Sequence, residues 1–303
     1  MSYNSIYDII GLHNEVNRLE TQAKLGWDKE FRTLKWLGLR DGMKILDVGA
    51  GPGAYTELLL ENLPNSKITA LEIDKNLLSI AKDRLCEYPK ERLNFKYGSI
   101  NNSGLKENSF DFVICRFVFQ HLEKPLTGAR EIYKVLKPGG IVAIIDSDRG
   151  MYGVSDPDIL FKSGRGFITQ IEKRTRWNRE VGRKLIKILK YEGFDKLDFE
   201  AVTIHSDLVG IKNIIGYQEV PPELIKIVSR NNPRLGRIMR LCCDKNEREN
   251  CTIIFLNLIT PVYYIKSFLP AISRNSSSLI IGIPSFDAFL FFDDVDVTSL
   301  LMR

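Results

Sequence analysis

The stretch "KILDVGAGPGAYTELLLENL", residues 44–63, constrains the fold more than any other part of the chain. An apolar strand runs into a glycine-rich turn and then into a helix. Such a junction brings free backbone N–H groups and the positive end of a helix to one point, where a nucleotide or an anion can sit. The glycines let a ligand approach the backbone closely. The run Gly49-Ala50-Gly51-Pro52-Gly53-Ala54 satisfies the loose dinucleotide pattern, which alone is a weak signal. No Gly-Lys-Ser/Thr follows, so a Walker-type phosphate loop is excluded.

The same strand–helix rhythm continues downstream. "KITALEI", "LNFKYGSI", "FDFVICRFV" and "GGIVAIIDSD" read as further strands, with "KNLLSIAKDRL" and "LTGAREIYKVL" as helices between them. Nearly continuous apolar strands separated by helices imply a parallel sheet covered on both faces. Residues 8 to 38 carry apolar positions at helical spacing, among them Val16, Leu19, Ala23, Leu34 and Leu37, with Glu30 inside the pattern. A long helical region is expected over 156–192, closed by Gly193, then a strand in "KLDFEAVTIHS" and irregular helices over 209–248. "CTIIFLNLITPVYYI" is a candidate last strand of the sheet.

Composition narrows the class. The 303 residues are 44% hydrophobic and 27% charged, ordinary for a globular chain that can bury a core without staples. The net charge of +5 is mild. Its densest basic stretch, Lys162 to Lys190, reads as a solvated helix face before it reads as a nucleic-acid surface. Five cysteines without a C-x-x-C pair and three scattered histidines predict reduced thiols and no metal site. No apolar run reaches the roughly 20 residues that span a bilayer, and no signal peptide is seen, so a cytoplasmic chain is expected.

Three features separate the candidate ligands. Asp47 stands two residues before the first glycine, and Pro52 lies inside the turn, unlike a dinucleotide fingerprint. Glu72 ends the second strand 19 residues after Gly53, where an acid can hold a ribose diol. "LKPGG", Leu136 to Gly140, joins a helix to the fifth strand; Pro138 stops the helix and the glycines turn the chain.

With these motifs in order, the chain resembles the class I S-adenosylmethionine-dependent methyltransferases. "ILDVGAGPG", the Glu72 strand end, "NSFDFVICRFVFQHL" and "YKVLKPGGIVAIID" carry the resemblance, closely over about residues 40–148. Within the family it is similar to the small-molecule branch that includes ubiquinone and menaquinone C-methyltransferase-like enzymes. The resemblance implies an α/β fold: a three-layer α/β/α sandwich around a mostly parallel, Rossmann-like seven-stranded sheet, with an N-terminal helical lid and a helical insert. The expected divisions are a lid over 1–40, the cofactor-binding core over 41–208, a helical insert or substrate cap over 209–250, and a last strand plus extension over 251–303.

The resemblance also implies roles. S-adenosyl-L-methionine is the expected cofactor, with Gly49, Ala50, Gly51 and Gly53 lining its methionine end and Asp47 orienting its amino group or ordering the loop. Glu72 would hold the ribose hydroxyls and Ile73 would pack on the adenine. Ser99 and Ile100 would contact the adenine from the third strand end; many relatives have Asp where Ser99 stands. Arg116 would face the methionine moiety. Methyl transfer needs mainly proximity and exclusion of water, and a base only if the acceptor must lose a proton.

His121, just past the fourth strand, is the best-placed base or substrate contact, against the simpler reading of a histidine that fixes its loop. Gln22 and Trp27 in the N-terminal helix, and Asp146, Asp148 and Tyr152 at or beyond the fifth strand's carboxyl end, are candidate pocket residues; packing or capping is the simpler reading for each. His205 and the tail aromatics Phe286, Phe289, Phe291 and Phe292 read as structural. The expected partner is a small-molecule acceptor rather than nucleic acid, on a monomer or homodimer. The alternatives are a methyltransferase acting on RNA or protein, a dinucleotide oxidoreductase, or a non-catalytic scaffold of the same fold.

Overall fold

The computed structural model describes residues 11–146, 148, 178, 180–204 and 257–259. Contacts divide the chain into Met1–Phe268 and Leu269–Arg303, and every described residue belongs to the first unit. The expectations for residues 1–10, Tyr152, the helical region before Gly182, His205, the insert over 209–250 and the tail aromatics lie outside the described residues.

Helix α1 spans Leu12–Trp36. Its buried stripe, Val16, Ala23, Trp27, Glu30 and Leu34, recurs every three to four residues or their sum, which keeps one face on the protein. Then follow β1 (Lys44–Val48), α2 (Ala54–Asn62), β2 (Lys67–Glu72), α3 (Lys75–Arg84), β3 (Leu93–Tyr97) and β4 (Phe110–Arg116). A 3-10 turn, Phe119–His121, leads into α4 (Pro125–Val135), β5 (Leu136–Ile145) and α5 (Gly182–Tyr191). The termini of the helices have local causes. Asp74 caps α3 by accepting from the N–H groups of Asn76 and Leu77. Pro125 opens α4 where a missing N–H costs nothing. Gly193, at φ 91°, follows the last residue of the α5 cap, as the sequence predicts.

Strands β1 to β5 form one parallel sheet in the order β3-β2-β1-β4-β5. Successive residues of each strand face opposite sides, so the core has two halves. Ile45, Ile68, Phe112, Ile114 and Ile145 pack with Trp27 and Leu34 of α1 and Leu59 and Leu60 of α2. Leu46, Val48, Val113, Cys115 and Ile144 pack with Ile132 of α4 and Leu185 and Leu189 of α5. These are the three layers expected from the near-continuous apolar strands.

The "LKPGG" motif keeps its turn inside the strand. Phe110 pairs with Leu136, and two residues later Phe112 pairs with Ile141. The intervening residues loop out of the ladder, which suits Pro138 because it has no N–H to donate. The expected seven-stranded sheet is not met among the described residues. Strands β6 (Val202–Ile204) and β7 (Asn257–Ile259) pair antiparallel with each other in a two-stranded sheet, and the main sheet has five strands among the described residues. Alternation over "KLDFEAVTIHS" overestimates the strand because its first half carries Lys196, Asp198 and Glu200, all exposed and all outside Val202–Ile204.

Candidate functional site

In this strand order the connections from β1 and β4 leave in opposite directions, and in open α/β sheets the ligand crevice lies at the carboxyl ends of such neighbours. The glycine turn lies on one side of the crevice. Gly49 has φ 72°, and a Cβ there would overlap Val118 Cγ2, so this position admits no side chain on two counts. A Cβ on Gly53 would press on Ala81 and Leu85 at 3.1 Å, so Gly53 is there for helix packing. Gly51 differs: a Cβ there would meet only Leu19 Cδ1 of α1, at 3.9 Å. Its backbone is the part of the turn that a ligand beside α1 can approach. Helix α2 starts at this turn with no side chain capping its N-terminus, so the helix offers first-turn N–H groups to a ligand.

Two buried carboxylates flank the turn. Asp47 Oδ2 accepts a 2.6 Å hydrogen bond from the Thr56 hydroxyl. Burial pushes the Asp47 carboxyl up to about 6, against the lowering effects of Thr56 and the Arg116 guanidinium. Glu72 ties β2 to the turn. Its Oε2 accepts from Gly51 N at 2.7 Å, and its Oε1 accepts from the N–H groups of Ile73 and Asp74, each at 2.8 Å. Burial raises this carboxyl too, while the three backbone donors lower it. A carboxylate has about four acceptor positions, so Glu72 keeps about one for a ligand.

The other side of the crevice belongs to β4 and α1. Arg116 Nε donates to Glu30 Oε2 at 2.8 Å, and Nη2 donates to Glu30 Oε1 at 3.1 Å and to the Gln22 carbonyl at 2.8 Å. The rings of Tyr55 and Phe117 lie against the guanidinium, 4.9 and 4.6 Å from its carbon. Glu30 has no exposed surface and the Arg116 side chain is 8% exposed. Displacing Glu30 would leave its charge buried and unpaired, a cost of about 3–5 kcal/mol, so the pair stays closed. Burial and the Glu30 carboxylate beside it hold the Tyr55 hydroxyl in its protonated form. Phe117 itself has φ 55°, in the left-handed region that a bulky side chain enters rarely and at a cost.

A second arginine repeats the clasp. Arg84, at the end of α3, donates Nε to the Pro52 carbonyl at 3.0 Å, pairs with Glu57 of α2 at 3.1 Å, and reaches Glu20 of α1. Helix α1 is thus tied to the glycine turn through Glu20 and to β4 through Glu30. Sequence reasoning passed over Glu30, Tyr55 and Arg84. The signal at Glu30 was an acid inside an apolar helical stripe, which demands a buried cation.

The remaining candidates are distributed as follows. Gln22 is buried and contributes its backbone carbonyl to Arg116. Trp27 is buried, stacked on Phe31 at 4.8 Å and edge-on to Tyr55 at 5.3 Å. Asp146 is fully buried and accepts from Gln120 N at 3.0 Å, which holds the 3-10 turn carrying half-buried His121. Asp148 pairs with Arg183 of α5 through 2.6 and 2.7 Å hydrogen bonds. The Ser99 hydroxyl accepts from Asn101 N at 3.2 Å. Ile100 is buried in the α4 half of the core, whereas Ile73 is 39% exposed at the β2 end. The glycine turn, Asp47, Glu72, Gln22, Trp27 and Arg116 therefore form one connected group. Asp146 and His121 adjoin it through the β4 exit, and Ile100 points its bulk into the core.

Residues 46–144 match the family model described as a methyltransferase domain. A demethylmenaquinone methyltransferase of Lactococcus lactis is 35% identical over 117 residues, 38% of this chain and 46% of that protein. One from Oceanobacillus iheyensis is 28% identical over 215 residues, 66% of this chain and 88% of that protein. With coverages of 46% and 52%, the chain spans about half the length of the Lactococcus lactis and Listeria monocytogenes serotype 4a relatives it matches. Among solved structures, Haemonchus contortus phosphoethanolamine N-methyltransferase 2 in complex with S-adenosyl-L-methionine superposes with a TM-score of 0.53 at 19% identity, over 80% of this chain and 53% of that one. That likeness is one of fold. Residues 46–144 thus match a methyltransferase domain, and over and around that domain the chain is similar to demethylmenaquinone methyltransferases.

Proposed function

We propose that the protein is an S-adenosylmethionine-dependent methyltransferase that moves a methyl group to a C, N or O atom of a small, partly apolar metabolite. One observation carries the reading: the backbone at Gly51 is open beside an uncapped helix N-terminus, with buried Asp47 and Glu72 on either side. The residues present fit the cofactor. The free N–H groups of α2 suit an amino-acid carboxylate. Asp47, whose carboxyl is raised by burial, lacks a full counter-charge and suits an ammonium group. The remaining acceptor position of Glu72 suits a ribose hydroxyl, and the exposed Ile73 side chain suits an adenine face. Nothing in this set requires a phosphate.

Bound there, S-adenosylmethionine supplies a methyl group already activated on a sulfonium. The chain's own work is to hold the two reactants in line and to keep water out. Helix α1 serves as a lid, with Leu19 over Gly51 and Trp27 packed on Tyr55. Where the accepting atom carries a proton, His121 takes it, held by the turn that Asp146 caps. Ser99 and Ile100 would support the adenine through their backbone, since the Ile100 side chain is committed to the core. The relatives named demethylmenaquinone methyltransferase extend the reading to a quinol-like ring as the acceptor class.

The divisions at 1–40, 41–208, 209–250 and 251–303, a cytoplasmic location and a monomer or homodimer belong to the same reading. No helix among the described residues is long and apolar enough to cross a membrane. Calorimetric titration with S-adenosylmethionine and S-adenosylhomocysteine tests the cofactor assignment. Saturable binding is expected, and no heat at millimolar cofactor with a folded protein would overturn it. Incubation with labelled cofactor and a short-chain demethylated quinol then tests the acceptor class, read by mass detection of a product heavier by one methylene.

A further inference from the structure

One edge of the Arg116 guanidinium, Nε and Nη2, is engaged by the chain itself. Its donors go to both oxygens of Glu30 and to the Gln22 carbonyl, and the Tyr55 and Phe117 rings lie against it. A ligand carboxylate could take that edge only by displacing Glu30, which has no exposed surface to retreat to. Both groups that Arg116 grips, Glu30 and Gln22, belong to α1. The same helix places Leu19 over Gly51 and Trp27 on Tyr55, the second residue of α2. It is also held at Glu20 by Arg84, whose Nε donates to the Pro52 carbonyl of the glycine turn.

We propose that Glu30 and Arg116 are a positioning pair: they dock α1 on the glycine turn, and that docking, not a contact from the Arg116 guanidinium to the ligand, sets the affinity for the cofactor. The inference rests on the proposed cofactor site and assigns Arg116 a different part in it from the one implied by its place after β4. It also makes α1 a wall of the site, completed by residues 86 and 94 positions from Arg116 in the chain.

The test is calorimetric binding of S-adenosylhomocysteine to the full chain and to four variants, Glu30→Gln, Arg116→Gln, the double E30Q/R116Q and the apolar double E30L/R116M. Circular dichroism confirms the fold of each, and trypsin cleavage at Lys24 and Lys29 reports α1 docking. The two single variants are expected to weaken binding by about tenfold or more, with faster cleavage in α1, and the double E30Q/R116Q to be no weaker than the singles. The apolar pair, which fills the space without a buried charge, is expected to bind within about threefold of the parent. That result decides the matter even if a single variant fails to fold. If E30L/R116M loses binding as R116Q does while E30Q binds normally, Arg116 touches the ligand and the proposal is wrong. If no variant changes affinity, or the apolar pair does not fold, docking by this pair does not control the site and the proposal is wrong. A parent chain that binds no cofactor would sink the reading of the site as well, which separates that failure from the others.

Discussion

Arg116 closes β4 with a two-pronged grip on Glu30, a residue of α1 that lies 86 positions earlier in the chain. Both partners are buried, so the pair behaves as a unit whose halves cannot be removed separately without penalty. Glu30→Ala or Arg116→Ala is therefore expected to lower the unfolding free energy by about 3–5 kcal/mol. Urea titrations followed by circular dichroism check this; a loss below about 1 kcal/mol, the range of exposed pairs, would contradict the burial argument.

At Gly49 the expected defect has two independent causes. Gly49→Ala must hold a left-handed φ and must push Val118 aside. The left-handed conformation alone costs a non-glycine residue about 1–3 kcal/mol. The double variant G49A/V118A should recover the steric part and leave the conformational part. Thermal melts of the two variants separate the contributions, and full recovery by V118A would show that conformation plays no part.

Asp47 makes a prediction about pH. Its carboxyl rises from the ordinary value of 3.8 to about 6 in the folded chain because it is buried. Between about pH 4 and pH 6 the unfolded chain has released this proton and the folded chain still holds it. The ligand-free protein should therefore lose stability as pH rises through that window, by at most about 3 kcal/mol, and be level with respect to this group above it. Asp47→Asn should abolish that slope and stabilise the ligand-free chain at pH 7, while weakening cofactor binding. Unfolding curves of both proteins from pH 4.5 to 7.5 give the difference, and parallel curves would refute the assignment.

Glu72 is expected to matter before any ligand arrives. Replacing it by Gln turns one acceptor into a donor facing backbone N–H groups of Gly51 or of Ile73 and Asp74. An unsatisfied buried donor costs about 1–3 kcal/mol, so the ligand-free Glu72→Gln chain should already be less stable. Hydrogen exchange at Gly51 should quicken in the variant. Unchanged exchange with lost cofactor binding would instead confine Glu72 to the ribose.

Much of the fold could be read directly. Strands β1 to β5 stand out because both faces of a covered parallel sheet are apolar, so each strand is a short, nearly unbroken apolar run between polar helices. The turns at Gly49 to Gly53 and at Pro138 were legible for a different reason: glycine and proline report backbone constraints that hold whatever surrounds them. The pair β6 and β7 was less legible, since three residues in a strand carry too little pattern to show which neighbour they join.

What the sequence by itself determined, then, is the parallel sheet, the glycine turn and the acids that flank it, because local periodicity and backbone chemistry dictate them. What only the tertiary structure decided is the employment of the charges. Arg116 could be read as a ligand contact, and the fold commits it to Glu30 and Gln22 of α1. Glu72 could be read as a ribose holder, and the fold gives most of its acceptor capacity to backbone N–H groups. Ile100 could be read as an adenine contact, and the fold buries it in the core. A side chain's partners depend on which distant segments arrive beside it, and the energy of a charge depends on how much water remains there. Neither quantity is a property of neighbouring residues in the chain.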